Sequence, residues 1–279
     1  MITQTAPENE PQFVMTMAEH MQMCGQMARA FGNNQFARLN PYEEMLYVVD
    51  NHDRGWDEYD ENPGLDEDRL PYIMSRTPTL ENMKTNRLSP EFNEAHDPYC
   101  GLISSMHSWG LYHKRYGFSR FVVRARTTTS ITVKNTYQPA VDAMLKNEIE
   151  RQKRLKAQLA SDPRTESWVQ DGNVVQSYKQ LQFFDTLALY FNLYHASERG
   201  EQEYVHVPLN PEADATLTLR KVNDGVYSLA PFPFARDRIK LVCQGRYTKP
   251  FPDGFDPSNV GAALKSIPTD LQTYELIAA

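Results

Sequence analysis

The amino-acid sequence predicts a mainly α protein: a helical bundle that carries a small C-terminal antiparallel β appendage. Apolar residues recur at steps of three and four along several segments before residue 200, which is typical of amphipathic helices. After that point apolar and polar residues alternate, as they do in strands with one buried face. We expect a frayed tail over residues 1–15, a helical core over 16–199 and a β-rich appendage packed on it over 200–279.

Composition and charge exclude several classes of protein. The chain has 279 residues, of which 41% are hydrophobic, enough for a sizeable core. Its formal charge of −7 disfavours general binding to nucleic acid, whose phosphates would be repelled. No apolar run approaches the roughly 20 residues of a membrane span, and the polar N-terminus does not resemble a signal peptide. We therefore predict a cytoplasmic protein with neither a nucleic acid nor a membrane as partner.

Two helices are predicted near the N-terminus. The first covers residues 16–31, where Thr16 and Glu19 have the spacing of a capping box. The second begins at Asn40, which can cap it, and is predicted to end at Gly55. The three cysteines share no close spacing, so the sequence favours neither a disulfide framework nor a thiolate zinc site.

The middle of the chain contains three further predicted helices. The first begins at Asp97, which is followed by Pro98. The other two cover about residues 137–161 and 172–196. Residues 62–97 contain four prolines and little periodicity, and they are interpreted as a long loop with short helical turns. Residues 121–133, rich in Val, Ile and Thr, are predicted to be a strand or an extended link.

The C-terminal region is predicted to be a small antiparallel sheet. Asn223-Asp224-Gly225 is a typical hairpin-turn sequence between two of its strands. The segments with alternating hydrophobicity are residues 204–209, 216–220, 225–229, 238–243 and 271–276.

Ligand-type side chains lie on the predicted buried faces of four separate helices: His20, His52 with the adjacent Asp53, His107, and Asp185. A single buried histidine is usually a hydrogen-bonded core residue, but an ionised carboxylate in a core needs a partner or a cation. Because four helices each contribute such a group, we predict a metal site inside the bundle. This ligand set suits iron, manganese or zinc better than calcium or copper(I).

The order of these residues resembles the HD-domain superfamily of metal-dependent phosphohydrolases, whose signature is a histidine, an adjacent His-Asp pair and a late aspartate on a helical core. Three short blocks also look like an uncharacterised, mostly bacterial domain-of-unknown-function family. They are residues 52–56 (His-Asp-Arg-Gly-Trp), 105–112 (Ser-Met-His-Ser-Trp-Gly-Leu-Tyr) and 182–189. This second likeness covers nearly the whole chain, whereas the HD resemblance, carried by the order of the ligands, implies an HD-like helical bundle.

The HD resemblance also implies a ligand set for one or two divalent ions. His107 matches an extra histidine that would hold a second ion, and Asp53 would bridge the two. His96 is the other candidate for that second ion, although it precedes the start of its helix. The four ligands of the first ion would be His20, His52, Asp53 and Asp185.

The function that the resemblance implies is hydrolysis of a small phosphate-containing substrate. Asp53, Arg54 and Glu58 are the predicted catalytic residues. Arg54 is either a clamp for a substrate phosphate or a cation at the helix C-terminus, and Asp57 and Glu58 are the candidates for general acid or base. The alternatives are a diiron oxygenase acting on a small organic substrate and a non-catalytic binding module. A homodimer is an open alternative to a monomer.

Overall fold

The protein combines a large sheet with a helical layer. A computed structural model describes residues 1–74, 76–113, 131 and 133–279. About 49% of these residues are helical and 21% lie in strands, which form one seven-stranded, curled, mixed sheet. The prediction of a mainly α bundle with a small C-terminal antiparallel appendage is therefore wrong. Most of the segment 121–133, predicted as a strand or link, lies outside the described residues.

Eight α-helices are described. The capping box of α1 is confirmed, since Thr16 Oγ1 accepts from the backbone of Glu19 and the Glu19 carboxylate accepts from the backbone of Thr16. Asp97 caps α5 through the amide of Tyr99. The helices are α1 (Met17–Ala30), α2 (Tyr42–Asn51), α3 (Asp57–Glu61), α4 (Thr79–His96), α5 (Pro98–Leu111), α6 (Gln138–Ala160), α7 (Asp171–Leu193) and α8 (Val260–Ser266).

The sheet contains strands from both ends of the chain. Its order is β1-β2-β6-β7-β5-β4-β3, and all neighbours are antiparallel except β5 and β7, which are parallel. The predicted turn at Gly225 is confirmed by its φ of +78°, which glycine adopts without strain. The strands are β1 (Ile2–Thr3), β2 (Gln12–Met15), β3 (Gln202–Asn210), β4 (Ala213–Asn223), β5 (Val226–Ala230), β6 (Arg238–Thr248) and β7 (Asp270–Ala278).

The first fifteen residues are part of the fold. In β2, Phe13 is paired with Tyr247 of β6, and the amino group of Met1 lies 2.6 Å from Asp60 Oδ1. The second carboxylate oxygen of Asp60 accepts from the backbone amide of Met17 at the start of α1. The expectation of a frayed tail is therefore wrong. Strands of two and four residues are too short to show an alternation of apolar and polar residues, so the sequence does not reveal them.

Replacing Phe13 with alanine tests whether this segment carries stability. Phe13 is 1% exposed, so we expect the free energy of unfolding to fall by about 3–5 kcal/mol, as for other buried Phe to Ala changes. The same change at Phe92, which is 39% exposed, should cost much less. Urea denaturation measures both. Equal and small effects would show that the N-terminal segment is a tail after all.

Helix α4 lies where the sequence predicts a loop. Its buried face is polar, so the apolar periodicity that marks the other helices is missing. These polar residues still recur at steps of three and four, and several bond to the helix backbone. The buried polar residues are Asn82, Thr85, Asn86, Ser89 and Asn93.

Helices α1 and α7 lie between the sheet and the other helices. Helix α1 contacts α2, α7 and β6, while α7 contacts α5 and β3. Nearly all of α7 is buried, including Phe183, Phe184 and Phe191, which are fully buried in the main core. Polar side chains on the inward faces of these two helices, such as His20 and Asp185, are therefore enclosed by protein. None of the described helices is both long and apolar enough to cross a bilayer.

Candidate metal centre

The five residues predicted as metal ligands converge at one point in the interior. His20 comes from α1, His52 and Asp53 follow the end of α2, His107 lies on α5 and Asp185 on α7. Asp53 is the most exposed of them at 7%, and His20 and His52 are fully buried. Single ligand atoms of His52, His107 and Asp185 all lie within 4.8 Å of one another. Such a convergence of imidazoles and carboxylates is a candidate metal centre.

His20 joins α1 to two residues of α7. Its Nε2 lies 3.1 Å from Asp185 Oδ1, and its Nδ1 lies 2.7 Å from Asn192 Oδ1. The Asn192 amide nitrogen faces the sulfur atoms of Met23 and Cys243, which leaves its oxygen to accept from His20. In that tautomer His20 Nε2 faces a carboxylate oxygen, and either a proton or a cation must lie between them.

Asp53 lies between two histidines. Its Oδ2 is 3.8 Å from His52 Nε2, and its Oδ1 is 3.6 Å from His107 Nε2. The His52 and His107 rings meet edge to face, with centroids 5.0 Å apart. Each carboxylate oxygen therefore faces a different imidazole, which is the arrangement that a carboxylate bridging two ions needs.

His52 has the features of a histidine prepared to bind a metal. Its Nδ1 donates to the carbonyl of Val49 at 2.9 Å, which leaves the lone pair on Nε2. Nε2 is buried and has no hydrogen-bond partner among the described residues. A backbone carbonyl that orients the other ring nitrogen is the usual outer partner of a metal-bound histidine. The residues present therefore fit a divalent ion.

The charges of the cluster are balanced without a metal by protons on imidazoles. Burial would raise the pKa of Asp53 and Asp185, but the neighbouring histidines outweigh it and hold both pKa values low. Burial would likewise lower the pKa of His20 and His107, yet Cys24 and Asp185 beside His20, and Asp53 beside His107, raise both. Burial lowers the pKa of His52 and keeps it neutral. A divalent ion would replace two protons at the same net charge.

A tight turn holds His52 and Asp53 in place. Helix α2 ends at Asn51 rather than at Gly55 as predicted, and a short 3₁₀ turn covers Arg54–Trp56. The Gly55 amide donates to Ser89 Oγ of α4 at 3.0 Å. A Cβ on Gly55 would lie 2.0 Å from the carbonyl oxygen of Thr85, so only glycine allows this approach. The role of Gly55 is close packing of the turn against α4.

Cys24 belongs to the cluster and is missed by the sequence reasoning. Its Sγ lies 3.6 Å from His20 Nε2, and ligand atoms of Cys24, His20 and His52 lie within 4.8 Å of one another. Burial raises the pKa of the thiol. The available signal was the four-residue spacing from His20, which places both side chains on one face of α1. Comparing cysteines only with each other overlooked it.

The structure does not bring Glu58 to the cluster. Its side chain is 75% exposed and forms an ion pair with Lys84 at 2.9 Å, so it cannot act as general acid or base there. Arg54 is half-buried, with its Nε 2.7 Å from Asp57 Oδ2 and its guanidinium 5.2 Å from the centre of the Phe92 ring. Neither side chain forms a hydrogen bond or an ion pair with a candidate ligand among the described residues.

The second extra histidine is also absent from the cluster. His96 is exposed and stacks on Tyr47 with ring centroids 3.5 Å apart. Helix α4 ends at His96 and α5 starts at Pro98, so the chain changes direction between His96 and His107. Within the described part of the chain, His107 is therefore the one additional histidine next to Asp53.

The fold and the cluster define a mixed α/β protein with a candidate metal centre in its interior. The chain belongs to the family described as "Protein of unknown function (DUF3891)", whose model matches residues 1–249. No curated protein and no solved structure matches the chain. The family description names no activity.

Proposed function

We propose that this protein is a metal-dependent hydrolase whose His/Asp cluster holds one or two divalent ions. The observation that carries the proposal is the buried Nε2 of His52, which has no hydrogen-bond partner among the described residues and lies within a set of carboxylates and imidazoles. A buried nitrogen without a partner costs free energy, and an ion at this position would remove that cost.

The ligand set favours iron, manganese or zinc. It combines two carboxylates with three imidazoles, which are borderline to hard ligands. A bound ion supplies Lewis acidity and lowers the pKa of a water molecule. His20 and Asp185 would hold the ion from α1 and α7, and His52 and Asp53 from the turn after α2. With two ions, Asp53 would be the bridge between them, because its two oxygens face different histidines.

The substrate class is a small phosphate-containing molecule. The support for this class is the order of His20, the His52-Asp53 pair and Asp185 along the chain, which resembles the metal-dependent phosphohydrolases of the HD superfamily.

A diiron oxygenase is the second candidate. It is favoured by the position of Asp53, whose two oxygens face different histidines at 3.8 and 3.6 Å. A carboxylate between two metal positions could bridge the two irons of an oxygenase as well as the two divalent ions of a hydrolase.

The test is to strip the protein with a chelator, reload it with Mn²⁺, Fe²⁺ or Zn²⁺, and measure phosphate release from a panel of small phosphate esters alongside oxygen uptake. We expect metal-dependent phosphate release that falls at least about 100-fold in Asp53→Asn. Asp50→Asn, a surface carboxylate on α2 paired with Arg29, is the matched control and should keep the activity. Oxygen uptake without phosphate release would identify the oxygenase instead. A metal-loaded protein that does neither would be a binding module.

A further inference from the structure

One face of α7 carries a line of polar side chains through the interior. Steps of four and three residues place them above one another on the helix. Two of them, Asp185 and Asn192, contact His20. The polar residues on this face are Tyr178, Gln182, Asp185 and Asn192, all of them buried, and the apolar Leu189 lies between the last two.

Gln182, one turn before Asp185, is fully buried and has no partner for its side chain. Neither its Oε1 nor its Nε2 has a hydrogen-bond partner among the described residues. An amide enclosed in protein without partners costs free energy at both its donor and its acceptor. Gln180 on the same helix differs at its amide nitrogen, which donates to the carbonyl of Ala37 at 3.2 Å, whereas its Oε1 also has no hydrogen-bond partner among the described residues.

Tyr178 repeats the pattern one turn further from the cluster. It is 1% exposed, and its hydroxyl also has no hydrogen-bond partner among the described residues. Burial and the negative charge of Asp185 raise the pKa of this phenol, so the hydroxyl stays protonated. Two neutral groups, each able to donate and to accept, therefore lie one and two turns before the candidate ligand Asp185 on the same face of α7.

We propose that Gln182, assisted by Tyr178, binds the oxygen-bearing group of the ligand that approaches the metal centre. The proposal rests on the proposed metal-dependent function. The amide hydrogens of Gln182 would donate to an oxygen of a small oxyanion such as phosphate, and its carbonyl would accept from a hydroxyl. Unpaired polar groups beside a metal centre are the donors that a ligand satisfies on binding. Gln182 would therefore determine affinity for the ligand and leave affinity for the metal unchanged.

The test compares Gln182→Met with Gln180→Met in the full-length protein loaded with Co²⁺, and the probe is inorganic phosphate. Methionine has the same length and no amide. We expect Gln182→Met to bind Co²⁺ as the wild type does and phosphate about 10-fold or more weakly, read from the visible absorption of the bound Co²⁺. Gln180→Met should keep the wild-type affinity for phosphate.

Thermal melting of the metal-free proteins distinguishes ligand binding by Gln182 from a purely structural role, because loss of a structural residue would lower the melting temperature. Gln182→Met should melt at the same temperature as the wild type or higher, because it removes an amide without partners. Gln180→Met should melt lower, because it removes a formed hydrogen bond. Failure of the wild type to bind Co²⁺ would overturn the proposed function and this proposal with it. Co²⁺ binding with no phosphate response, or with an equal response in Gln182→Met, would overturn this proposal alone, and so would a lowered melting temperature of that variant.

Discussion

Changing Asp185 to asparagine should reduce the affinity for the metal by at least about 100-fold. Asparagine keeps the volume of the side chain but removes its negative charge, and a neutral amide is a far weaker ligand. Outer partners of metal ligands alone account for about 10- to 100-fold in affinity, so a direct ligand should contribute at least as much. Metal content after dialysis, followed by titration against a competing chelator, measures the change.

Asp171→Asn is the matched control on the same helix. Asp171 is 90% exposed and pairs with Lys156 at the surface, so its loss should leave metal binding as it is. Circular dichroism of both variants shows whether α7 remains folded. If Asp185→Asn retains the metal, Asp185 is the partner of a protonated His20 and not a ligand.

Changing Gly55 to alanine should destabilise the protein by about 3 kcal/mol, at the upper end of what overpacking usually costs. The new methyl group would lie 2.0 Å from the carbonyl oxygen of Thr85 and 2.6 Å from the amide nitrogen of Ser89. Both are backbone atoms of α4, so neither can rotate away. The turn that carries His52 and Asp53 must shift, and metal affinity should fall together with the melting temperature, which we expect to drop by roughly 5–10 °C.

Gly172→Ala is the control for that substitution. It lies in the first turn of α7, where the nearest atom to the new methyl group is a side-chain carbon of Pro211 at 3.2 Å. Alanine also favours the helix, so the change in stability should stay within about 1 kcal/mol. If Gly55→Ala has the same melting temperature as the wild type, then α4 does not pack against the turn as closely as described.

Apolar periodicity predicts the parts of the fold in which one face of an element meets a hydrophobic core. Helices α1, α5, α6 and α7 lie close to their predicted positions for this reason. Helix α4 is not predicted by apolar periodicity, because polar residues such as Asn86 and Asn93 form its buried face. The N-terminal strands and the parallel pairing of β5 with β7 depend on contacts between distant parts of the chain, which local patterns do not contain.

The sequence predicts those residues of the candidate site that lie as ionisable groups on an otherwise apolar helix face. His20 and Asp185 are noticed because each is an ionisable group on a face that must be buried. The closeness of Glu58 to Asp53 in the sequence predicts a catalytic role, but the turn after Asp53 directs its side chain to the surface. Cys24 and Gln182 pass unnoticed because a cysteine or a glutamine on a helix face is ordinary, and only the structure shows what surrounds them.

Anomalous diffraction from crystals of the purified protein, recorded at the iron, manganese and zinc absorption edges, tests the central claim most directly. We expect one or two peaks beside His52, with an ion about 2.0–2.2 Å from His52 Nε2 and from a carboxylate oxygen of Asp53. A second peak near His107 would identify Asp53 as a bridge. The account would be contradicted if the protein contained no metal and took up none of these ions, and if His20 remained hydrogen-bonded to Asp185 in the crystal.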